Sequence, residues 1–365
     1  MKITKVSAIP FRAPRRNVWH AAFGTVAESE YAIVIIETDE GVRGVGEIAT
    51  VWDRRGISQA DDVNRLLAPL LTGRDPLALS DLCVRVHRAL GRGSNPAKAG
   101  VDIALHDLAG RILGVPVHQL LGGKLRESMQ LSFSINMADA QRMADEAAEL
   151  VTAGFKTLKL KAGIDHRADL RALAAIRERI GDPITLRVDM NAAVASAKDA
   201  VRRIRDFESF GLEFVEQPLP AHDIRGMVFV REHSSLPIMA DESLWDSRDA
   251  LEIVKQGAAD LANVYVMEAG GLREGRQAFA VLEAAGIPTM LGSMPEFGIG
   301  TAAQLHLGAV APNLLGTSDL CGFMYHARDI VRTSPLVHDG VVHVPTGPGL
   351  GVELDDDLLD HWRIK

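Results

Sequence analysis

Residues 185–241 contain three short apolar runs that each end in an acid: TLRVD at 185–189, LEFVE at 212–216 and PIMAD at 237–241. The closing residues Asp189, Glu216 and Asp241 lie 27 and 25 residues apart, a spacing typical of repeated strand-loop-helix-loop units. Neighbouring strands lie about 4.8 Å apart, so three parallel strands would bring three carboxylates within reach of one cation. A single acid here would be an N-cap or a solvated loop residue, but three in register predict a metal site.

The same rhythm of strand and helix extends in both directions from these runs. We place eight strands near 129–136, 156–161, 184–190, 212–216, 237–241, 260–266, 287–292 and 314–319. Amphipathic runs such as 168–180 and 197–210 predict the helices between them, and Gly154 and Gly211 stand where helices should end. Short connections and regular spacing favour a closed α/β barrel over an open doubly wound sheet.

The chain before the barrel follows a different pattern. Residues 1 to about 50 alternate as short strands around a turn at 39–41, which predicts an antiparallel meander. The spacing then becomes helical, with the leucines of 66–71 expected on one face. A small α+β domain therefore precedes the barrel, and the glycine-rich segment at 347–351 belongs to a tail of strand and turns that could return to it.

Length and composition exclude several classes of protein. At 365 residues the chain exceeds the roughly 200 to 250 of a barrel, so two domains are expected. A net charge of −8 without a basic block argues against nucleic acid or a membrane as partner. Cys83 and Cys321 lack a zinc-ligand spacing and are expected to be buried free thiols. No apolar run is long enough to span a membrane, and we expect a cytoplasmic protein.

Two predicted strands carry further polar residues toward the same end of the barrel. Side chains alternate along a strand, so Lys159 and Lys161 on the second strand point the same way. The same period puts Arg187, Asp189 and Asn191 on one face of the third strand. If the carboxylates point into the barrel, both lysines are expected to do so as well.

The sixth strand lies diametrically opposite the second in an eight-stranded barrel. Asn263, Tyr265 and Met267 are expected to share one face of it. Tyr265 is therefore expected to face Lys161 across the pocket.

The residue types at this end of the barrel predict a chemistry. Carboxylate oxygens with no Cys or His near them favour Mg²⁺, with Mn²⁺ as a possibility, over zinc. The double positive charge of such an ion, placed beside an enolate, makes removal of a proton α to a carboxylate feasible, with a lysine as the base. We therefore predict a small carboxylate as substrate and Lys161 as the acid/base group. Without the acids, two lysines at this spacing would indicate a solvated strand face. The assignment of Lys161 therefore depends on the predicted acid cluster.

Nine motifs, spread over nearly the whole chain, strengthen this interpretation. They are GRGSNPAKAG at 91–100, LLGG at 120–123, KLK at 159–161, VDMN at 188–191, VEQP at 215–218, ADES at 240–243, GG at 270–271, SMPE at 293–296 and GPGLG at 347–351. In this order they resemble the enolase superfamily and, within it, the muconate cycloisomerase branch.

The resemblance implies both an architecture and a set of site residues. It implies an N-terminal α+β capping domain with lid loops at 1–125, a modified TIM barrel, (β/α)7β, at 126–320, and a C-terminal segment at 321–365 that packs on the capping domain. It also implies Mg²⁺ on Asp189, Glu216 and Asp241, and acid/base work by Lys161 with Lys159 supporting it.

The sixth strand departs from the family pattern. Similar enzymes carry a second catalytic lysine where this chain has Tyr265. A phenol has a reference pKa near 10, close to that of lysine, so Tyr265 could still transfer a proton or could only shape the pocket. In both cases racemisation through two opposed lysines is disfavoured. A reaction in which Lys161 alone transfers protons, on one face of the substrate, remains compatible with the sequence.

Four further residues are candidates for substrate binding. Asn191 shares the strand face of Asp189. Glu296 matches a glutamate in similar enzymes and could hydrogen-bond a substrate carboxylate or a lysine, or instead cap the following helix. Trp19 and His20 fall in a loop that closes over the barrel mouth in the family, with an exposed hairpin tip as the alternative.

These observations leave several functions to be separated. The leading hypothesis is an Mg²⁺-dependent isomerase or lyase of the mandelate racemase/muconate lactonizing enzyme type, most like a cycloisomerase. The alternatives are a dehydratase that removes water by syn β-elimination from a hydroxy or amino acid, then a racemase or epimerase, then a non-catalytic barrel that binds ligands. Similar proteins commonly form symmetric assemblies, so a homo-oligomer is expected. The substrate is set by loops and pocket shapes that the sequence does not specify.

Overall fold

The computed structural model describes residues 1–21, 24–51 and 55–365, and the side chains of residues 19–21 and 24–25 lie outside that description. The backbone of Trp19 and His20 belongs to the first strand, but the lid role predicted for their side chains falls outside the described residues. That role stays a prediction.

The chain begins with a three-stranded antiparallel sheet in the order β1-β2-β3. Its strands are β1 (Ile3–Ala21), β2 (Gly24–Thr38) and β3 (Arg43–Ile48). The turn between β2 and β3 contains Gly41 at φ 79°, a left-handed conformation that glycine adopts without strain. The predicted meander is confirmed.

Within the described residues, five helices complete the N-terminal domain. They are α1 (Gly56–Asp62), α2 (Ala68–Leu71), α3 (Leu79–Ala89), α4 (Asn95–Leu113) and α5 (Val117–Leu120), with a π-helical turn at Val63–Leu67 and a 3-10 turn at Arg92–Ser94. The prediction of one leucine face at 66–71 is wrong, because Leu67 and Leu71 are buried while Leu66 and Leu70 are exposed. The segment contacts the rest of the domain on one side only, which buries the two leucines spaced i, i+4 and leaves their neighbours exposed.

Eight parallel strands form the barrel. They are β4 (Ser128–Ile135), β5 (Thr157–Lys161), β6 (Thr185–Asp189), β7 (Leu212–Glu216), β8 (Ile238–Ala240), β9 (Leu261–Val264), β10 (Thr289–Leu291) and β11 (Thr317–Ser318). β11 pairs with β4, and its flanks bond to β10 through Leu315 N to Thr289 O (2.8 Å) and Asp319 N to Leu291 O (2.9 Å). The ring is therefore closed, as the spacing predicted.

Helices connect these strands over the outside of the ring. They are α6 (Ala140–Thr152), α7 (His166–Ile180), α8 (Ala197–Phe207), α9 (Ile224–His233), α10 (Ser247–Gln256), α11 (Val266–Ala269), α12 (Leu272–Ala284) and α13 (Gly298–Val310). Helix α11, which is a single turn, and helix α12 both lie in the connection between β9 and β10. Seven connections therefore link the eight strands. The predicted (β/α)7β barrel is confirmed.

The C-terminal segment returns to the N-terminal domain, as predicted. It contains β12 (Val337–His338), β13 (Val341–His343) and α14 (Asp356–Trp362). The Trp362 ring stacks on Phe11 with 6.3 Å between centroids, and Arg43 binds both carboxylate oxygens of Asp356 at 2.9 and 3.0 Å. The exact limits predicted for the three regions stay predictions.

Asp107 on α4 joins three parts of the fold. Its buried carboxylate accepts hydrogen bonds from Val45 N and Leu350 N, both at 2.8 Å, and from Arg111 Nε at 2.9 Å. We expect Asp107→Ala to lower the free energy of unfolding by roughly 2 to 5 kcal/mol, because two buried N–H groups lose their acceptor. Chemical denaturation measures this, with the exposed Asp182→Ala as the control. Equal stability of the two variants would contradict it.

Two expectations from composition concern the cysteines and the membrane. Cys83 and Cys321 are free and buried, as predicted. Among the described residues, none of the helices has both the length and the apolar character needed to cross a bilayer.

Candidate active site

Three carboxylates meet where β6, β7 and β8 end. Asp189 is the last residue of β6, Glu216 is the last of β7, and Asp241 follows β8 directly. The pairing register aligns Lys161 with Asp189 and Asp189 with Glu216. One oxygen from each acid lies within 4.8 Å of the others, and all three side chains are buried. The strand-tip acids thus come together as the spacing predicted.

Burial and mutual repulsion raise the pKa values of two of these acids, whereas Lys161 and Lys159 lower the pKa of Asp189 against the effect of burial. Burial, followed by the charges of Glu242 and Glu216, raises the pKa of Asp241 well above its ordinary value. Burial and the charge of Asp189 raise the pKa of Glu216. Three buried oxygen donors without sulfur or imidazole fit a hard divalent cation such as Mg²⁺, which would offset this repulsion.

Lys159 is held inside the acid cluster. Its ammonium group donates to Glu216 Oε2 at 3.1 Å, lies 3.5 Å from Asp189 Oδ2, and pairs with Asp319 at the end of β11. Burial acts to lower the pKa of Lys159, but Asp319 and Glu216 outweigh it and raise the pKa well above its usual range. Lys159 is therefore a fixed positive charge that partly neutralises the acids.

Lys161 occupies a more accessible position at the tip of β5. Its ammonium group donates to Asp189 Oδ2 at 2.6 Å, and its side chain is 12% exposed, against 3% for Lys159. It lines a cavity at the mouth of the barrel. Of the two lysines, Lys161 is the one whose amine is placed to meet a ligand in that cavity.

Tyr265 stands on the opposite wall of the same cavity. β5 and β9 are four positions apart in the ring, which places Tyr265 across from Lys161 as predicted. Its ring packs on Gly292, where a Cβ atom would lie 2.2 Å from the Tyr265 ring. The predicted strand face including Met267 is wrong, because β9 ends at Val264 and Met267 lies in α11.

The Tyr265 hydroxyl is part of the polar network around the acids. It donates to Asp241 Oδ2 at 3.4 Å and accepts from Asn263 Nδ2 at 3.3 Å. The same Asn263 amide group donates to Glu216 Oε1 at 3.0 Å. Burial and the charge of Asp241 raise the pKa of Tyr265 well above 10, so the phenol is protonated.

Asn191 follows β6 in a left-handed conformation, φ 40°. Its backbone N–H donates to Asp189 Oδ1 at 2.8 Å, and its side-chain amide donates to Glu242 Oε1 at 3.1 Å. Burial and the charge of Asp189 raise the pKa of Glu242 to about 7. Asn191 also lines the cavity, and Asn191 Oδ1 has no hydrogen-bond partner among the described residues.

Glu296 is buried beside the cavity rather than among the residues that line it. Its carboxylate accepts from Ser293 Oγ at 2.5 Å and Gln304 Nε2 at 3.1 Å, and burial raises its pKa to about 6. The N-terminus of α13 is capped instead by Glu47 of β3, which accepts from Phe297 N at 2.8 Å and Gly300 N at 2.7 Å. Substrate binding by Glu296 stays a prediction.

Sequence reasoning missed several charged residues of the site, among them Asp319 and Arg15. Asp319 pairs with Lys159 and accepts from Ser132, and it closes the last predicted strand just as the three other acids close theirs. That signal was therefore present in the sequence. Arg15 reaches the cavity from β1 of the N-terminal domain, and no local pattern marks it as part of a barrel site.

Two protein-family descriptions match this chain. Residues 4–122 match the description "Mandelate racemase / muconate lactonizing enzyme, N-terminal domain", and residues 142–358 match "Enolase C-terminal domain-like". The chain belongs to the mandelate racemase/muconate lactonizing enzyme family. Membership confirms the predicted superfamily and enzyme class, and enzymes of this superfamily use Mg²⁺.

Individual members of the family differ in their reactions. The chain is 32% identical to the N-succinyl-L-Arg/Lys racemase of Bacillus cereus, covering 100% of this chain and 98% of the relative. It is 33% identical to a chloromuconate cycloisomerase of Cupriavidus necator, covering 99% of each. A muconate lactonizing enzyme of Pseudomonas fluorescens with muconolactone matches with a TM-score of 0.96 and 30% identity, covering 100% of this chain and 99% of that one. Family membership therefore establishes an isomerase-type scaffold and leaves the reaction open.

Proposed function

We propose that this enzyme moves a proton on one face of a small carboxylate substrate, with Lys161 as the acid/base group, in a cycloisomerase-like reaction. One observation carries the proposal: the cavity has an amine on one wall, at Lys161, and a phenol on the wall opposite, at Tyr265. A cycloisomerisation needs only one proton-transfer group, whereas racemisation through two opposed amines needs a second. The relatives include both cycloisomerases and a racemase, and the phenol on the second wall of this cavity supports the one-sided reaction.

In this proposal, Asp189, Glu216 and Asp241 would hold Mg²⁺, or Mn²⁺ in its place. When bound, the ion would stabilise the negative charge that develops on the substrate carboxylate in the enolate. Lys159 keeps its proton because four acids surround it, and so holds the cluster together without itself accepting the substrate proton. In ring closure a carboxylate oxygen of the substrate adds to a carbon–carbon double bond, the electron pair of that double bond forms the enolate, and the Lys161 ammonium donates a proton from Nζ to the α-carbon; solvent then returns a proton to Lys161, and ring opening runs the same steps in reverse.

Products distinguish this reaction from its alternatives. We would incubate the protein with Mg²⁺ in D₂O, supplying cis,cis-muconate, N-succinyl amino acids and a panel of hydroxy and amino acids. Lactone formation supports cycloisomerisation. Loss of water to a keto acid would assign a dehydratase, and α-deuteration with inversion would assign a racemase or epimerase. A barrel that binds the metal but converts nothing would be a binding protein. Cytoplasmic location and homo-oligomeric assembly stay predictions.

Substitution of Tyr265 tests the one-sided mechanism. We expect Tyr265→Phe to retain turnover within about tenfold, because it removes only two long hydrogen bonds, to Asp241 and from Asn263, and no proton-transfer group. Tyr265→Lys is expected to add α-proton exchange with inversion, because an amine then stands on each wall. Both are measured by deuterium exchange and chiral analysis. A loss of turnover above roughly 100-fold in Tyr265→Phe would show that the phenol itself transfers a proton.

A further inference from the structure

A second pocket lies where the N-terminal domain meets the barrel. Helices α3 and α4 with the turn between them form one side of this junction pocket, and the first residues of α10 and α12 form the other. It shares no lining residue with the cavity around Lys161. Part of its wall comes from the motif at 91–100, to which the proposed reaction assigns no role.

Positive side chains outnumber negative ones in the junction pocket. Its wall contains two acids, Asp246 and Glu274, and five lysine or arginine residues, namely Arg88, Arg92, Lys98, Arg248 and Arg273. His87 adds no charge at neutral pH, because burial and the charge of Lys98 lower its pKa to about 4. The pocket is therefore positive, although the chain as a whole carries a net charge of −8.

Both acids and two of the arginines already have partners. Glu274 pairs with Arg273, the residue before it, and Arg92 pairs with Asp249 of α10. Asp246 caps α10 and accepts from two backbone N–H groups of that helix at 2.9 and 3.3 Å. These contacts leave neither acid paired with the remaining cations of the pocket.

Three cations of the junction pocket have no carboxylate partner. Among the described residues, no carboxylate oxygen lies within ion-pair distance, 4.0 Å, of Lys98, Arg88 or Arg248. Both arginines are exposed, whereas Lys98 is only 3% exposed. Burial lowers the pKa of Lys98, and the charges of Glu274 and Asp246 oppose this effect from beyond ion-pair distance. A buried ammonium group in this position is stabilised when an anion pairs with it.

Neutral contacts hold Lys98 in place. Its ammonium group donates to Asn95 Oδ1 at 2.9 Å, one turn earlier in α4. The Asn95 amide is itself fixed, because its Nδ2 donates to Glu268 O of α11 at 2.5 Å. An ammonium group has three N–H donors, and no second acceptor engages Lys98 among the described residues. Two donors are therefore available to a ligand in the pocket.

The charges indicate which anion fits. A phosphate monoester carries about −1.5 to −2 charges at neutral pH and offers three acceptor oxygens. One buried ammonium group with two exposed guanidinium groups can engage several of these oxygens, and the guanidinium fork matches their geometry. A single carboxylate, with one charge and two oxygens, would leave part of the positive charge unpaired.

We infer that the junction pocket binds a phosphate group, either as inorganic phosphate or as part of a small phosphate ester. This inference goes beyond the proposed function, because it concerns a pocket separate from the cavity of Lys161 and holds whichever reaction occurs there. A phosphate bound to Lys98 and Arg248 would contact the N-terminal domain and the barrel together. Its binding would therefore stabilise the folded protein.

Calorimetric titration in a chelator tests the inference, because without a divalent ion the acids of the barrel repel anions. The probes are inorganic phosphate, methyl phosphate and, as the singly charged comparison, acetate. The wild-type protein should bind at least one of the phosphates about tenfold or more tightly than acetate. Lys98→Gln should weaken that binding at least about tenfold, and the exposed Arg248→Gln about three- to tenfold. The tighter of the two phosphates identifies the source of the phosphate group.

The matched control is Arg171→Gln, which removes an exposed arginine of α7 outside the junction pocket. It changes the net charge by the same amount and should keep wild-type affinity. Thermal unfolding checks that each variant is folded, and phosphate should raise the Tm of the wild type more than that of Lys98→Gln. Absence of phosphate binding by the wild type would overturn the inference. Unchanged affinity in Arg248→Gln and Lys98→Gln, or an equal loss in Arg171→Gln, would also overturn it.

Discussion

Lys161→Ala is expected to reduce kcat/KM by roughly 10²- to 10⁴-fold, the range associated with loss of a general acid/base group. Lys161 is the more exposed of the two amines on β5, whereas Lys159 is enclosed by Asp189, Glu216 and Asp319 and cannot take over its task. Divalent-cation binding should persist, because the three carboxylates remain and Asp189 loses a competing positive charge. Steady-state kinetics and a calorimetric Mg²⁺ titration measure the two effects separately.

The control for this variant is Lys156→Ala, which removes an exposed lysine just before β5. It should have wild-type kinetics and metal affinity. Unchanged turnover in Lys161→Ala would refute the assignment of Lys161. Loss of both cation binding and turnover would instead indicate that Lys161 maintains the structure of the acid cluster.

Asp241→Asn is expected to weaken Mg²⁺ binding by at least roughly 100-fold and to abolish turnover, because one of three charged oxygen donors becomes neutral. The same variant should be more stable than the wild type when no divalent ion is present. Burial and neighbouring acids raise the pKa of Asp241 well above its ordinary value, so ionised Asp241 destabilises the folded protein. The penalty develops as the pH rises above the ordinary pKa of aspartate, and asparagine does not incur it.

Two measurements check this pair of opposite effects. Calorimetry with Mg²⁺ gives the affinity, and thermal unfolding in a chelator at pH 5 and pH 8 gives the stability. The gain in Tm should be larger at pH 8, because the destabilisation of the wild type by the buried Asp241 carboxyl group is greater there than at pH 5. Asp182→Asn, at an exposed position, should change neither quantity. A lower Tm for Asp241→Asn in the chelator would contradict this account of the acid cluster.

The sequence predicted the parts of the site that depend on local periodicity. Strand tips repeat at a fixed spacing and side chains alternate along strands, so Asp189, Glu216, Asp241 and Lys161 could be placed before any coordinates. Tyr265 opposite Lys161 followed from counting strands around the ring. Asp319 obeys the same rule, since it directly follows β11.

The parts that were missed depend on contacts between distant segments. Arg15 reaches a cavity built mostly from residues beyond 130, and Glu47 caps a helix that begins 250 residues later. No periodicity within β1 or β3 indicates such a partner. The end of β9 was also misjudged, because an apolar run such as 260–266 does not reveal where α11 begins.

Glu47 has a consequence for how enzymes of this architecture can diversify. Its carboxylate belongs to the N-terminal sheet, yet it satisfies the first N–H groups of α13, a helix of the barrel. A graft that exchanged the N-terminal half for that of a relative would leave those groups without an acceptor unless it carried an acid at position 47. An exchange of N-terminal halves between relatives therefore has to preserve this contact if the first turn of α13 is to keep its acceptor.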